Sequence, residues 1–274
     1  MSVLANLAVT LGMLFIVPAG LALIDAPGLG LVRRWWLIPA ALGAVSLWLP
    51  RGGLAVGLAC VYAAATLALF GTAVARFWRN KSIAAPEVAV LTALVCPSIA
   101  ALALAAERGG RTLFGFDLDI LELTVPHFHY AGFAAALIAG LVARATAASG
   151  ALSTVAALSV PAGTGLVLLG YFIDDWVELA GTAVLTVGMW SVDWLTWRQL
   201  RARSGRRSTQ VLFAVSSVTL VATMVLALSY ALGEAAELPH LSLTWMVATH
   251  GAANAVGFAL CGLLAFRRLK PAPI

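Results

Sequence analysis

Charge is what this sequence has least of. Asp, Glu, Lys and Arg together make up 11% of its 274 residues, against about a quarter in soluble domains. Soluble chains need charge to cover their surface, and a chain that is 62% hydrophobic expects lipid to cover it. Cysteine is also scarce. Cys60, Cys96 and Cys261 are far apart, lie inside apolar runs and form no CxxC, so neither a disulfide framework nor a thiolate metal site is supported. They read as small buried hydrophobes. No Walker motif, GxGxxG turn or HExxH is present, which speaks against ATP-driven transport and zincin-type proteolysis by this chain. A soluble stretch, an internal repeat and a low-complexity tract are missing as well. The net charge of +5 is therefore not read as a nucleic-acid footprint, because Arg and Lys sit in short clusters between apolar runs, as juxtamembrane anchors do.

What the chain does contain is long apolar segments. A span needs roughly 20 residues at 1.5 Å each, and that ruler finds nine: 3–24, 35–50, 54–76, 86–106, 123–144, 151–172, 177–197, 210–232 and 243–266. The second is short and bounded by Pro50, so eight spans follow if it lies in the interface. The first has no basic n-region and is long enough to span, so it reads as a membrane helix rather than a cleaved signal. The fold class is an all-α, polytopic transmembrane helical bundle, a single domain over 1–274.

Nine spans put fourteen of the seventeen basic residues on one side, from Arg33 and Arg34 to Arg267, Arg268 and Lys270, and leave Arg51, Arg108 and Arg111 on the other. The basic side should be cytoplasmic, with the N-terminus outside and the C-terminus inside. The acids gather on the outer side, where Glu107, Glu234 and Glu237 read as solvated loop residues. Asp193, near the cytoplasmic end of its segment, reads as an interfacial ion pair with Arg198. The basic loop from Arg198 to Thr209 should meet anionic lipid. Trp35, Trp36, Trp48, Trp78, Trp190, Trp194 and Trp197 lie near span ends, where aromatic belts form.

Ionisable residues within a span are expensive, roughly 2.5–3.5 kcal/mol for a charge at the helix centre on insertion scales. Few are present, which makes them informative. In the fifth segment Asp119, Glu122, Pro126 and His129 share a helical face, while His127 points about 200° away from His129. Both histidines can face one cavity only if the helix is distorted, and Pro126 supplies a reason for distortion. In the ninth segment His250 and Asn254, four apart, share a face, and Gly251 and Gly257 permit close helix approach. Asp175 and Glu178 stand at the junction of the sixth and seventh segments. On this topology Glu122, His127, His129 and His250 all fall in the outer half of the bilayer. Tyr130, Trp176 and Trp245 are placed to line a cavity beside them. A zinc or iron site from Glu122 and the three histidines has suitable ligand types, but HxH spacing on a helix is poor for it, and no metal is expected.

Two stretches, ILELTVPHFHYAGF (120–133) and ATHGAANAVGF (248–258), resemble the strongest patterns of the YndJ-like family of bacterial integral membrane proteins. That family pairs an acid-containing H-F-H-Y-A-G-F run with a later T-H-G-x-x-N-A-x-G-F run. The close match covers these two stretches, and the rest agrees in hydropathy. The resemblance implies a bacterial plasma membrane and carries membership more than mechanism. In size, helical build and buried acids the chain is also similar in kind to small membrane-embedded terpene cyclases.

Two functions compete. In the first, a membrane-embedded cyclase acts on a lipophilic isoprenoid-like substrate drawn from the lipid. Glu122 protonates its epoxide or alkene (Asp119 or Asp175 being the alternates), and His127, His129 and His250 orient the acid or take the final proton. That chemistry needs no cofactor. In the second, the same groups relay protons in a proton-coupled small-molecule permease. One-sided clustering and the lack of two repeated halves favour the cyclase.

Overall fold

The computed structural model describes residues 3–146 and 150–269, so Lys270 of the charge count lies outside the described residues. No β-strand occurs among them beyond an isolated bridge between Leu113 and Phe116. The helices are α1 (Val3–Leu21), α2 (Leu29–Trp35), α3 (Leu37–Ser46), α4 (Gly53–Asn80), α5 (Ala85–Arg108), α6 (Leu118–Ala145), α7 (Ala151–Ile173), α8 (Asp175–Leu195), α9 (Arg207–Ala235) and α10 (Leu243–Leu269).

Seven of these, α1, α4, α5, α6, α7, α9 and α10, are long and apolar enough to cross a membrane. Their outward faces suit lipid: α4 exposes Leu54, Val61, Leu67 and Phe70, and α9 exposes Val211, Val218 and Val225. The second apolar segment divides at Trp36 into two short helices, of which α3 has 10 residues, about 15 Å of helix. The seventh becomes α8, whose hydropathy is lowered by Asp175, Glu178 and Asp193.

The chain forms two compact units. The described part of the first comprises 3–82 and 91–134. A π-helical turn over Gly12–Ile16 in α1 widens the ring and frees carbonyls, and Trp36 Nε1 donates to Met13 O at 2.8 Å. Trp36 is thus 1% exposed and does not join an interfacial belt, because its indole is consumed as a tertiary hydrogen-bond donor. At the end of α3, Arg108 reaches the carbonyls of Ser46, Leu47 and Leu49, groups a helix C-terminus leaves without partners.

The second unit holds 83–90, 135–146 and 150–269 of the described residues. Its α7–α8 hairpin turns on Asp174, whose carboxylate accepts from Val177 N at 2.9 Å and caps α8. Close approach of the two helices needs small residues: a Cβ at Gly181 would lie 2.5 Å from Val167 N, and one at Gly170 would lie 2.5 Å from Glu178 N. Beyond Leu195 the helix widens into a π turn over Thr196–Leu200 and continues through Arg203. Most of the expected basic loop is therefore helical. Arg198 and Arg201 lie over Trp194 and Trp197, 5.3 and 3.8 Å from the ring centroids, and cation–π contact holds the extension in place.

Candidate functional site

At 100° per residue Ser216, Leu220, Thr223, Ala227, Tyr230 and Glu234 fall on one face of α9. The polar members of that face extend from Ser216 to Glu234, about 27 Å at 1.5 Å per residue, close to the hydrocarbon thickness of a bilayer. Along it the segments of α10 and the turn before it supply partners. Ser216 Oγ donates to Phe258 O at 3.0 Å. His250 Nδ1 lies 2.8 Å from Thr223 O. Tyr230 meets His240 edge to face at 5.0 Å, and His240 Nε2 lies 2.8 Å from Glu234 Oε1.

The centre of this stripe is a closed hydrogen-bond circuit. Thr223 Oγ1 donates to Asn254 Oδ1 at 2.9 Å, Asn254 Nδ2 lies 3.2 Å from His250 Nε2, and His250 returns to Thr223 O. A carbonyl can only accept, so Nδ1 carries a proton, and an amide nitrogen can only donate, so Nε2 is a lone pair in this arrangement. α10 is locally π-helical on both sides of the circuit, over Val247–Gly251 and Asn254–Leu260. Such turns re-aim side chains and recur at functional sites. Exposure grades along the stripe: Ser216 and Thr223 are buried, Tyr230, His250 and Asn254 are half-buried, and Glu234 is exposed.

Glu178, half-buried on α8, lies within electrostatic range of Asp175 and Glu234. The second unit thus brings together His250 with Asn254, and Asp175 with Glu178. The sequence reading missed Thr223, Tyr230, Glu234 and His240 as their neighbours. The signal was a heptad of hydroxyls, Ser216, Thr223 and Tyr230, in an otherwise apolar helix. Trp176 and Trp245 are exposed, at 60% and 61%.

The other expected residues belong to the first unit. α6 is π-helical over Phe128–Ala134, directly after Pro126, so the expected distortion is present. It does not bring the two histidines to one environment: His127 is exposed and His129 fully buried. His129 Nδ1 donates to Val125 O at 2.7 Å and its Nε2 meets the Tyr62 hydroxyl at 2.7 Å. Its ring packs on Gly12, where a Cβ would come within 3.1 Å. Tyr130 gives its hydroxyl to Ala8 O at 2.7 Å. Glu122 is half-buried and Asp119 exposed.

Three further readings change. Cys60 is exposed, whereas Cys96 is buried and Cys261 intermediate, because Cys60 sits on the outward face of α4. Glu107 is no solvated loop acid. It has no solvent exposure and binds Arg51, 2.9 Å away, and Arg108, whose Nη2 is 2.6 Å from Oε1. Asp193 makes no ion pair with Arg198, which lies over Trp194 instead, and its Oδ1 has no hydrogen-bond partner. Among the described residues no group of three or more His, Cys, Asp or Glu side chains comes together as a metal ligand set.

Seven helices suited to a bilayer, with ionisable side chains held among them, define a helical membrane protein. The chain belongs to the YndJ-like protein family, whose model matches residues 7–258. No curated protein and no solved structure matches it.

Proposed function

We propose that the protein is a proton-coupled permease for a small molecule, and that the α9 stripe of the second unit carries the proton. The observation that supports this is the Thr223–Asn254–His250 circuit, because it closes equally well in two protonation states. With His250 neutral, Asn254 Nδ2 donates to Nε2. With His250 protonated, Nε2 becomes a donor, and a 180° turn of the Asn254 amide presents Oδ1 to it. Nδ2 then donates to Thr223 Oγ1, whose own proton turns to Leu220 O, 3.2 Å away. No buried donor or acceptor is lost in either state, so the exchange avoids the roughly 1–3 kcal/mol cost of an orphaned group. Glu178, Glu234 and His240 form the mouth from which protons reach it, and Leu220 and Phe258 close the apolar stretch beyond.

With the C-terminus in the cytoplasm of a bacterial cell, as the gathering of basic residues on that side supports, the mouth faces the outer surface whether the chain crosses eight or nine times. Reporter fusions at the Arg201–Arg207 turn and at the Gly233–Ser242 turn test this orientation. The function itself is tested with the proton as the probe. Purified protein in proteoliposomes holding pyranine, with a potassium gradient and valinomycin, should pass protons faster than empty liposomes, and His250→Ala should lower that flux at least about tenfold. Equal flux in wild type, variant and empty vesicles would sink the reading.

Acid-initiated cyclisation of an isoprenoid-like substrate is the second reading. It is favoured by Glu122, half-buried one turn before a proline and a π-helical stretch of α6. Membranes supplied with epoxidised prenylated compounds should then yield isomeric products by mass spectrometry, and Glu122→Gln should abolish them.

A further inference from the structure

The inner end of the stripe holds a second polar feature. A cavity of about 10 Å³ lies where α8 and its π turn, α9 and α10 meet, with room for about one water-sized particle. Asp193 and Thr196 line it from one side and Ser216 and Ser217 from another. Asp193 Oδ1 and Ser217 Oγ are both buried and close enough to interact with one another, but neither has a hydrogen-bond partner within 3.5 Å, and Ser217 as a whole is 3% exposed. Thr196 and Ser216 spend their hydroxyl protons on Val192 O and Phe258 O, at 2.8 and 3.0 Å. Their oxygens therefore keep lone pairs.

We infer that this cavity is a binding site for an oxygen-coordinated monovalent cation, either Na⁺ or a proton delivered with water. Four oxygen-bearing side chains line it, one of them a carboxylate. The rest of the lining adds no cation: α6 contributes Ile138, α9 adds Phe213, and α10 adds Phe258 and Phe266. Asp193 is half-buried with its Oδ1 sealed from solvent, and a carboxylate oxygen withdrawn from water is stabilised by a compensating charge. A water molecule alone supplies hydrogen bonds but no charge. With a single carboxylate, a divalent ion would leave a net positive charge against this largely apolar lining, which a monovalent ion does not. Na⁺ fits both the charge and the size, and protonation of Asp193 meets the charge in the other way. This rests on the permease reading for its purpose, since a cation site at the far end of a proton stripe is where coupling to a gradient would be set.

The test is thermal unfolding of the purified full chain in detergent. Choline, sodium and potassium chloride are compared at one ionic strength, each between about pH 5 and 9. Wild type should be stabilised either saturably by Na⁺ at fixed pH or by acid in choline alone, and the two arms identify the cation. Asp193→Asn should lose the response. Ser217→Ala, a milder change that keeps the carboxylate, should raise the half-saturating Na⁺ concentration about tenfold or displace the pH midpoint by about one unit. Identical responses in wild type and both variants overturn the site, and if Asp193→Asn does not fold, an unchanged Ser217→Ala does so alone. Proton flux is a separate readout. Cation-dependent stability without flux keeps the site and removes the permease reading, whereas flux without any cation effect does the reverse.

Discussion

Asn254 presents its amide nitrogen to Nε2 of His250 at 3.2 Å, one helical turn away on α10. In this orientation the amide meets the neutral ring, because two donors cannot share one bond, whereas the turned amide meets the charged one. Asn254→Asp replaces an amide that can turn by a carboxylate that can only accept, so it favours imidazolium at His250. A hydrogen bond to a charged group is worth about 1.5–3 kcal/mol, or about one to two pH units at 1.36 kcal/mol each. The pH at which proton flux is half-maximal should rise by that amount. An unshifted flux–pH profile would show that Asn254 does not set the proton affinity of His250.

Glu107 is bound between Arg108, itself 4% exposed, and the half-exposed Arg51. Removing one member of a buried pair strands the other, at about 3–5 kcal/mol. Glu107→Gln should therefore lower the unfolding temperature markedly. Arg51→Ala should cost far less, since its partner keeps Arg108 and its own charge was near water. The comparison is a pair of thermal melts in one detergent, and equal losses would contradict the assignment.

The apolar runs were legible because a run is a local property, and the ends of α4, α5, α7 and α9 fall close to where composition places them. What was not legible depended on residues distant in sequence. Glu107 read as a loop acid because its partner Arg51 is 56 positions away. His129 read as a candidate base because Tyr62, 67 positions away, is not visible as a partner. The burial of Trp36 rests on its bond to Met13 O, 23 positions away, which no periodicity in 35–50 encodes. The pair His250 and Asn254 was legible from i, i+4 spacing alone. Its partner Thr223 was not, since a neutral hydroxyl in an apolar helix carries no hydropathy signal.

Tyr62→Phe deletes the hydroxyl that meets His129 Nε2 without changing the ring stack between them, whose centroids are 6.0 Å apart. The imidazole is left with one buried nitrogen unsatisfied, a cost of about 1–3 kcal/mol. The melting temperature should fall while proton flux at a permissive temperature stays at the wild-type level, because this pair lies in the first unit. A loss of flux with unchanged stability would instead give His129 a role in the proton path.

The α7–α8 hairpin gives a contrast within one helix pair. Gly181 faces Val167 N, where an added Cβ would lie 2.5 Å away, whereas Gly165 has open space around it. Gly181→Val must push two backbones apart, and overpacking of this kind costs about 1–3 kcal/mol or more. Gly165→Ala meets no neighbour and adds helix propensity worth up to about 1 kcal/mol. Thermal unfolding should therefore move down for the first and stay level or rise for the second. Displacing α8 from α7 also shifts Glu178, which Gly170 abuts, so Gly181→Val should slow proton entry even at temperatures where it remains folded. If Gly181→Val lowers stability and leaves flux unaltered, the Glu178 mouth is not on the path.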